Sequence, residues 1–154
     1  MSPPLRLDEA IDAITAAVQT LLEGEVKVGG LLEGVTSITR GDKARGNPYP
    51  PCLWVWTDTA IPEVHSLSRA ELWEIPVTIV SVVKDDNPEA GYAKATTLAA
   101  KARSAVLNDR SLIGTDCVRD VKSGRFTPSS PYYKDDKSQC SAAAELLVKF
   151  ITLE

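Results

Sequence analysis

Apolar residues recur at Leu7, Ile11, Ile14, Val18, Leu21 and Leu22, in steps of four, three, four, three and one. That spacing winds one hydrophobic stripe around an α-helix. The helix it predicts runs from Leu7 or Asp8 to Glu23, with Asp8, Glu9 and Asp12 in its first turns and Gly24 as its stop. Negative charge suits that end of the helix dipole, and glycine suits the other. From Val26 to Ile38 the pattern weakens, punctuated by Gly29, Gly30 and Gly34, and Val35 to Arg40 reads as a short strand. The polar stretch Gly41 to Pro51 follows, and then Cys52-Leu-Trp-Val-Trp-Thr57 reads as a strand of aromatic and branched residues. The two strands are expected to form a hairpin whose tip far exceeds the usual length of about two to five residues. Such a tip is either mobile or held by something outside the subunit.

Alternation is clearest from Arg69 to Lys84, where Trp73, Ile75, Val77, Ile79 and Val83 share one face and Leu72, Thr78, Val80 and Val82 the other. From Glu71 to Val83 a strand reaches about 40 Å, against a diameter of about 38 Å for a globule of this length. The strand is therefore expected to bend or to project, with Pro76, which cannot donate to a ladder, marking an edge or a bulge. Asn87 and Pro88 supply an N-cap and a first helical residue for a second helix reaching about Asn108. Tyr92, Ala95, Leu98, Ala99, Ala102 and Val106 are its expected buried stripe, while Lys94, Thr97, Lys101 and Ser104 face water. Strands over Asp116–Phe126 and Cys140–Leu153 complete the chain, separated by a long loop, Thr127 to Gln139. In the last strand one face is wholly apolar (Ala142, Ala144, Leu146, Val148, Phe150) and the other mixed, the pattern of a sheet covered on one side. The fold class is therefore α+β: a mixed, largely antiparallel sheet of about five strands with two helices on one face, in the order α-β-β-β-α-β-β.

At 154 residues and 44% hydrophobic, 25% charged, the chain reads as a single domain over residues 1–154, with no repeat, heptad run or linker. A net charge of −4 argues against a bulk electrostatic grip on nucleic acid or anionic membrane. No basic segment feeding an apolar run opens the chain, so no signal peptide is expected. No apolar run approaches the roughly 18–20 residues that cross a bilayer. Cys52, Cys117 and Cys140 are odd in number and scattered, which suits reduced, buried thiols and assembly in a reducing cytoplasm.

Candidate chemistry is sparse. Gly41-x4-Gly46 continues into Asn47-Pro48 where a phosphate loop needs Lys and Ser or Thr, so it is rejected. His65 is the only histidine, and its neighbours Ser66 and Ser68 are too close in sequence to align with it as nucleophiles; it reads as a surface-loop residue. Asp85-Asp86 and Asp135-Asp136 could bind a hard cation, which takes about six oxygens, but read rather as solvated or helix-capping charge. Each pair has lysine beside it, and Asp85 and Asp86 also suit the second helix's N-terminus. No catalytic, cofactor or metal site emerges. Trp54 and Trp56 share one face of their strand, to be buried either in the core or by a neighbouring subunit.

The whole ordering resembles one known family. It comprises the N-terminal helix, strand and strand joined through a long loop entering at Pro50-Pro51, and a long strand ending in a polar turn. It continues with the Ala-rich segment Ala93-Lys-Ala-Thr-Thr-Leu-Ala-Ala-Lys-Ala-Arg-Ser-Ala-Val-Leu107 and Asp109-Arg-Ser-Leu-Ile-Gly114. A strand ending Gly124-Arg-Phe-Thr-Pro128, a long loop and a last strand close it. Over nearly the full chain this resembles the tail terminator (tail-to-head joining) proteins of long-tailed bacteriophages, in pattern and length rather than through an invariant signature. The resemblance implies a structural virion protein without enzymatic activity or cofactor. Identical subunits would form a ring, hexameric in the family, on the head-proximal end of the tail tube, assembled in the host cytoplasm. Its partners would be the tail tube protein and the head connector or head-completion protein, with DNA only passing through the channel and no membrane involved. Subunit or partner contacts are then expected from Lys43, Arg45 and Tyr49 in the first long loop. Tyr132, Tyr133, Lys134, Asp135, Asp136 and Lys137 in the second, with Trp54 and Trp56, complete the set. The alternatives are another neck, head-completion or tail component of the same fold, or a small cytoplasmic ligand-binding domain or enzyme.

Overall fold

A computed structural model describes residues 6–41, 50–63, 70–128 and 139–153. The elements are helix α1 (Leu7–Gly24), strands β1 (Ser37–Arg40), β2 (Cys52–Thr57), β3 (Ile61–Glu63) and β4 (Ala70–Lys84), helix α2 (Pro88–Leu107), and strands β5 (Val118–Thr127) and β6 (Gln139–Leu153). The fold is α+β, with a six-stranded mixed sheet in the order β1-β2-β4-β6-β5 and β3 paired to β4 beside that path. All pairs are antiparallel except β1–β2.

The sheet is built around β4 and β6, each of 15 residues, which pair without a register shift from Ala70–Leu153 to Lys84–Gln139. That pair is about 47 Å long. Its first part outruns the helical cover: Ala70 to Glu74 are half-buried, whereas Val77 to Val83 are buried. Alternation sorts the side chains. Ile75, Val77 and Ile79 of β4, with Leu146, Val148 and Phe150 of β6, Leu53 and Val55 of β2, and Val121 of β5, meet the apolar stripes of both helices in one core. Burying a side chain as large as Phe150 contributes about 2–3 kcal/mol. Further along the same face, Val83, Cys140 and Ala142 lie under Ala95 and Ala99 of α2, and Ser81 Oγ donates to the Ala95 carbonyl at 2.6 Å. Both helices therefore cover one face.

The helices stand as their sequences dictate. In α1, Ile14, Val18 and Leu22 are buried and Leu7, Ile11 and Leu21 pack at the margin. In α2, the Asn87 side chain accepts from the Glu89 amide at 3.1 Å, as an N-cap should. The α2 stripe is narrower than expected. Gly91, Ala95, Ala99, Ala102, Ala105 and Val106 are buried, but Leu98 is only partly covered and Tyr92 is 37% exposed. Small side chains let the helix sit so close to the sheet that its two largest flanking groups are displaced outward.

Three expectations are corrected. The β1–β2 pair is not a hairpin: the strands are parallel, with Ser37 opposite Cys52 and Arg40 opposite Val55. A connection through residues 41–51 approaches the dozen or so that a parallel crossover takes. In addition α1 holds β1 in this sense, through Gln19 Nε2 donating to the Ile38 carbonyl at 3.1 Å and Asp12 pairing with Arg40. Pro76 marks neither an edge nor a bulge. It lies in a central strand, opposite Leu147 with the ladder intact. Its carbonyl accepts from the Asp58 amide at 2.9 Å. In an antiparallel strand the nitrogen of a residue points to the same flank as its carbonyl. The missing donor therefore faces residues 58–60, the stretch between β2 and β3 where the ladder on that flank is interrupted. Finally there are six strands rather than five, because the three-residue β3 (Ile-Pro-Glu) carries no alternation long enough to read.

Candidate functional site

The face of the sheet opposite the helices is divided between an apolar cluster and a charged half. Register places Cys52, Trp54 and Trp56 of β2, Thr78, Val80 and Val82 of β4, and Ser141, Ala143 and Glu145 of β6 on it. Cys52, Trp54, Val80, Val82 and Ala143 form an apolar cluster of their own, with Trp56 packed at its rim. Trp54 is 2% exposed, so its burial is met within the subunit; Trp56 is half-buried and reaches the margin. Burial holds the Cys52 thiol up at about 11, which removes it as a thiolate nucleophile.

Toward the other end of that face the character turns polar. Lys149 of β6 meets Glu63 of β3 at 3.0 Å, and the Glu63 carboxylate pushes the Lys149 amine above its usual 10.5. Ile61, paired with Glu74 of β4, stands 62% exposed beside them. One half of this face is thus apolar and closed, the other charged and open.

The other charged groups frame the two edges of the sheet. On the α1–β1 side an open groove of about 620 Å³ runs between Asp8, Ile11, Asp12 and Thr15 of α1 and Arg40, Val55, Trp56 and Thr57 of the strands. Its carboxylates are engaged, Asp12 with Arg40 and Asp8 with Arg6. On the β5 side, Arg103 donates to Ser123 Oγ at 2.8 Å, Arg110 to the Val121 carbonyl at 3.4 Å and Arg119 to the Asp116 carbonyl at 2.8 Å. Sequence reading passed over this division of charge, although the spacing of the α1 acids and the arginines of β5 carry it in plain view.

Of the residues expected to make contacts, Trp54 and Trp56 are placed as above. Lys43, Arg45, Tyr49, Tyr132, Tyr133, Lys134, Asp135, Asp136 and Lys137 lie outside the described residues, as does His65. Asp85 pairs with Lys94 at 2.7 Å rather than with the adjacent Lys84, and also accepts from the Asn87 amide at 2.9 Å. These bonds, the Lys94 ammonium first, hold its carboxyl below 3.8. Cys52, Cys117 and Cys140 are all free and buried. Among the described residues, no three His, Cys, Asp or Glu side chains gather as a metal site would need. No described helix is long and apolar enough to cross a membrane. Comparison with protein-family models and with curated proteins returned no match.

Proposed function

We propose that this protein is a structural assembly subunit of a long-tailed bacteriophage. It forms a ring, hexameric in the family it resembles, at the head-proximal end of the tail tube, where it ends tube growth and offers a surface to the head connector. The observation that carries the reading is architectural. The α+β order on which the resemblance rests is, apart from the short β3, the order of this chain, with two helices on one face of a sheet built on a 15-residue strand pair. Such a platform is stiff along its length and displays its opposite face and both edges to neighbours. The Asp85 carboxylate suits this reading, since Lys94 and the Asn87 amide hold it at the start of α2.

The reading is tested by measuring the mass of the purified full chain, alone and mixed with tail tubes, and by imaging the mixtures. A ring, free or seated at one tube end, is the expected result. A chain that stays monomeric and ignores tube ends would overturn it.

A further inference from the structure

Resting on the ring reading, we infer that identical copies join head to tail, the β5 edge of one docking on the α1–β1 edge of the next, with charges of opposite sign facing each other. A ring of identical subunits requires a heterologous contact of this kind, between two different surfaces of the same chain. Residues 6–41 hold six acids against three bases, a net −3, while residues 88–127 hold seven bases against four acids, a net +3. The fold sends these halves apart. Strands β1 and β5 are the two ends of the sheet order; α1 packs by β1 and β2, α2 by β4, β6 and β5.

On the acidic side Asp8, Asp12 and Glu23 form a stripe along α1, in which Asp8 and Asp12 also meet Arg6 and Arg40 of the same subunit. At about 100° per residue, Asp8, Asp12, Gln19 and Glu23 fall within about 60° of one another around α1. That side of the helix lies along β1: Asp12 pairs with Arg40, Gln19 bonds the Ile38 carbonyl, and Glu23 borders residues 35–38. From Asp8 to Glu23 the stripe is about 22 Å long.

On the basic side, Arg119, Lys122 and Arg125 project from β5 and are exposed, with Arg103 and Arg110 leaning on the same strand. Among the described residues none of these five cations forms an ion pair; Arg103, Arg110 and Arg119 bond a hydroxyl and two carbonyls instead. Among the described residues their charge is therefore not neutralised by a carboxylate. From Arg119 to Arg125 the row is about 20 Å long, close to the length of the acidic stripe. The two also run the same way along the sheet. Helix α1 passes from the Thr57 end of β2 toward its Ser37–Cys52 end, and β5 from Phe150 toward Ala143, the row of Val80 and Trp54. Rotation about an axis in that direction preserves both senses, as closure of a ring demands.

Joining edges by backbone pairing is disfavoured here. β5 carries two register shifts and a run of charges, and β1 is four residues long, the devices by which edge strands avoid adding a partner strand. The contact is therefore made by side chains, with salt weakening it.

The experiment is a charge swap read by sedimentation velocity of the full chain. Asp8→Lys with Glu23→Lys makes one variant and Arg119→Glu with Arg125→Glu the other, each checked by circular dichroism for a wild-type fold. Alone, each variant places like charges across the junction, and its assembly is expected to weaken by at least about tenfold in dissociation constant. Mixed in equal amounts, the two are expected to reassemble as alternating rings, because lysine edges then face glutamate edges and arginine edges face native acids. Rings that form equally well from either variant alone, or a mixture that stays apart, would overturn this assignment while leaving the ring reading standing. A wild-type chain that never assembles would instead remove the ring reading on which it rests.

Discussion

At the scale of single residues the most constrained group is the Asp109 carboxylate. It accepts from Ser111 Oγ at 2.6 Å, from the Ser111 amide at 3.1 Å and from the Ile113 amide at 3.0 Å. Those bonds hold a turn in which Leu112 and Ile113 both adopt left-handed backbone, φ 49° and 61°. Each such residue costs about 1–2 kcal/mol, and complete burial of Leu112 in the core offsets about as much. The Ser111 hydroxyl, then the Ile113 amide, draws the Asp109 carboxyl below 3.8. A carboxyl lowered in the fold contributes stability above its unfolded value and loses it as pH falls through the folded one. Titration followed by side-chain NMR is therefore expected to give Asp109 a midpoint below 3.8, and Ser111→Ala should raise it. A midpoint unchanged by Ser111→Ala would mean the hydroxyl is not the chief cause.

Between elements, the closest approach is α2 on β6. A Cβ built on Gly91 would stand 2.5 Å from Cys140 Sγ and 3.3 Å from its Cβ, a contact no real pair sustains. Gly91→Ala gains about 1 kcal/mol of helix propensity but overpacks this junction by about 1–3 kcal/mol. A net loss of up to about 2 kcal/mol is expected, read as a lower midpoint of urea unfolding. Removing the sulfur as well, with Cys140→Ala, should recover part of it in a double-mutant cycle. Strict additivity of the two changes would show that the helix is not seated as tightly as the structure has it. The same closeness explains why Tyr92 and Leu98, apolar and correctly spaced, end up at the margin of the contact rather than beneath it.

For the whole molecule, one cooperative unit is expected, because a single cluster joins both helices to β2, β4, β5 and β6. The three thiols report on it from different places: Cys52 opens β2, Cys117 precedes β5 and Cys140 lies at the start of β6. Burial raises all three above their ordinary value, so neither access nor thiolate is available in the folded state. Labelling by a thiol reagent at mild alkaline pH is expected to be slow for all three, with one shared dependence on urea. A cysteine that reacts early and independently would reveal an edge of the sheet that opens by itself.

The local elements were legible because each has a strong periodic signature: the α1 stripe, the alternation in β4 and β6, and the Asn87-Pro88 start of α2. The α+β class and the one-sided cover follow from those same patterns, since the apolar face of β6 is the face that meets the helices. No constellation of reactive groups was legible; the resemblance supplied the loop contacts, which lie outside the described residues, while Trp54 and Trp56 were legible from their strand as either core or interface. The parallel sense of β1, the place of Pro76 beside a gap, and the strand β3 depended on tertiary structure. Direction, register and the neighbour across a ladder are set by partners distant in sequence, such as Asp12 for Arg40 and Asp58 for Pro76. The charges of α1 and β5 stand in the chain for anyone to count, but only the order of strands reveals that they end up on opposite edges. Periodicity is a property of neighbours along the chain, whereas which surfaces face apart is decided when the chain closes on itself.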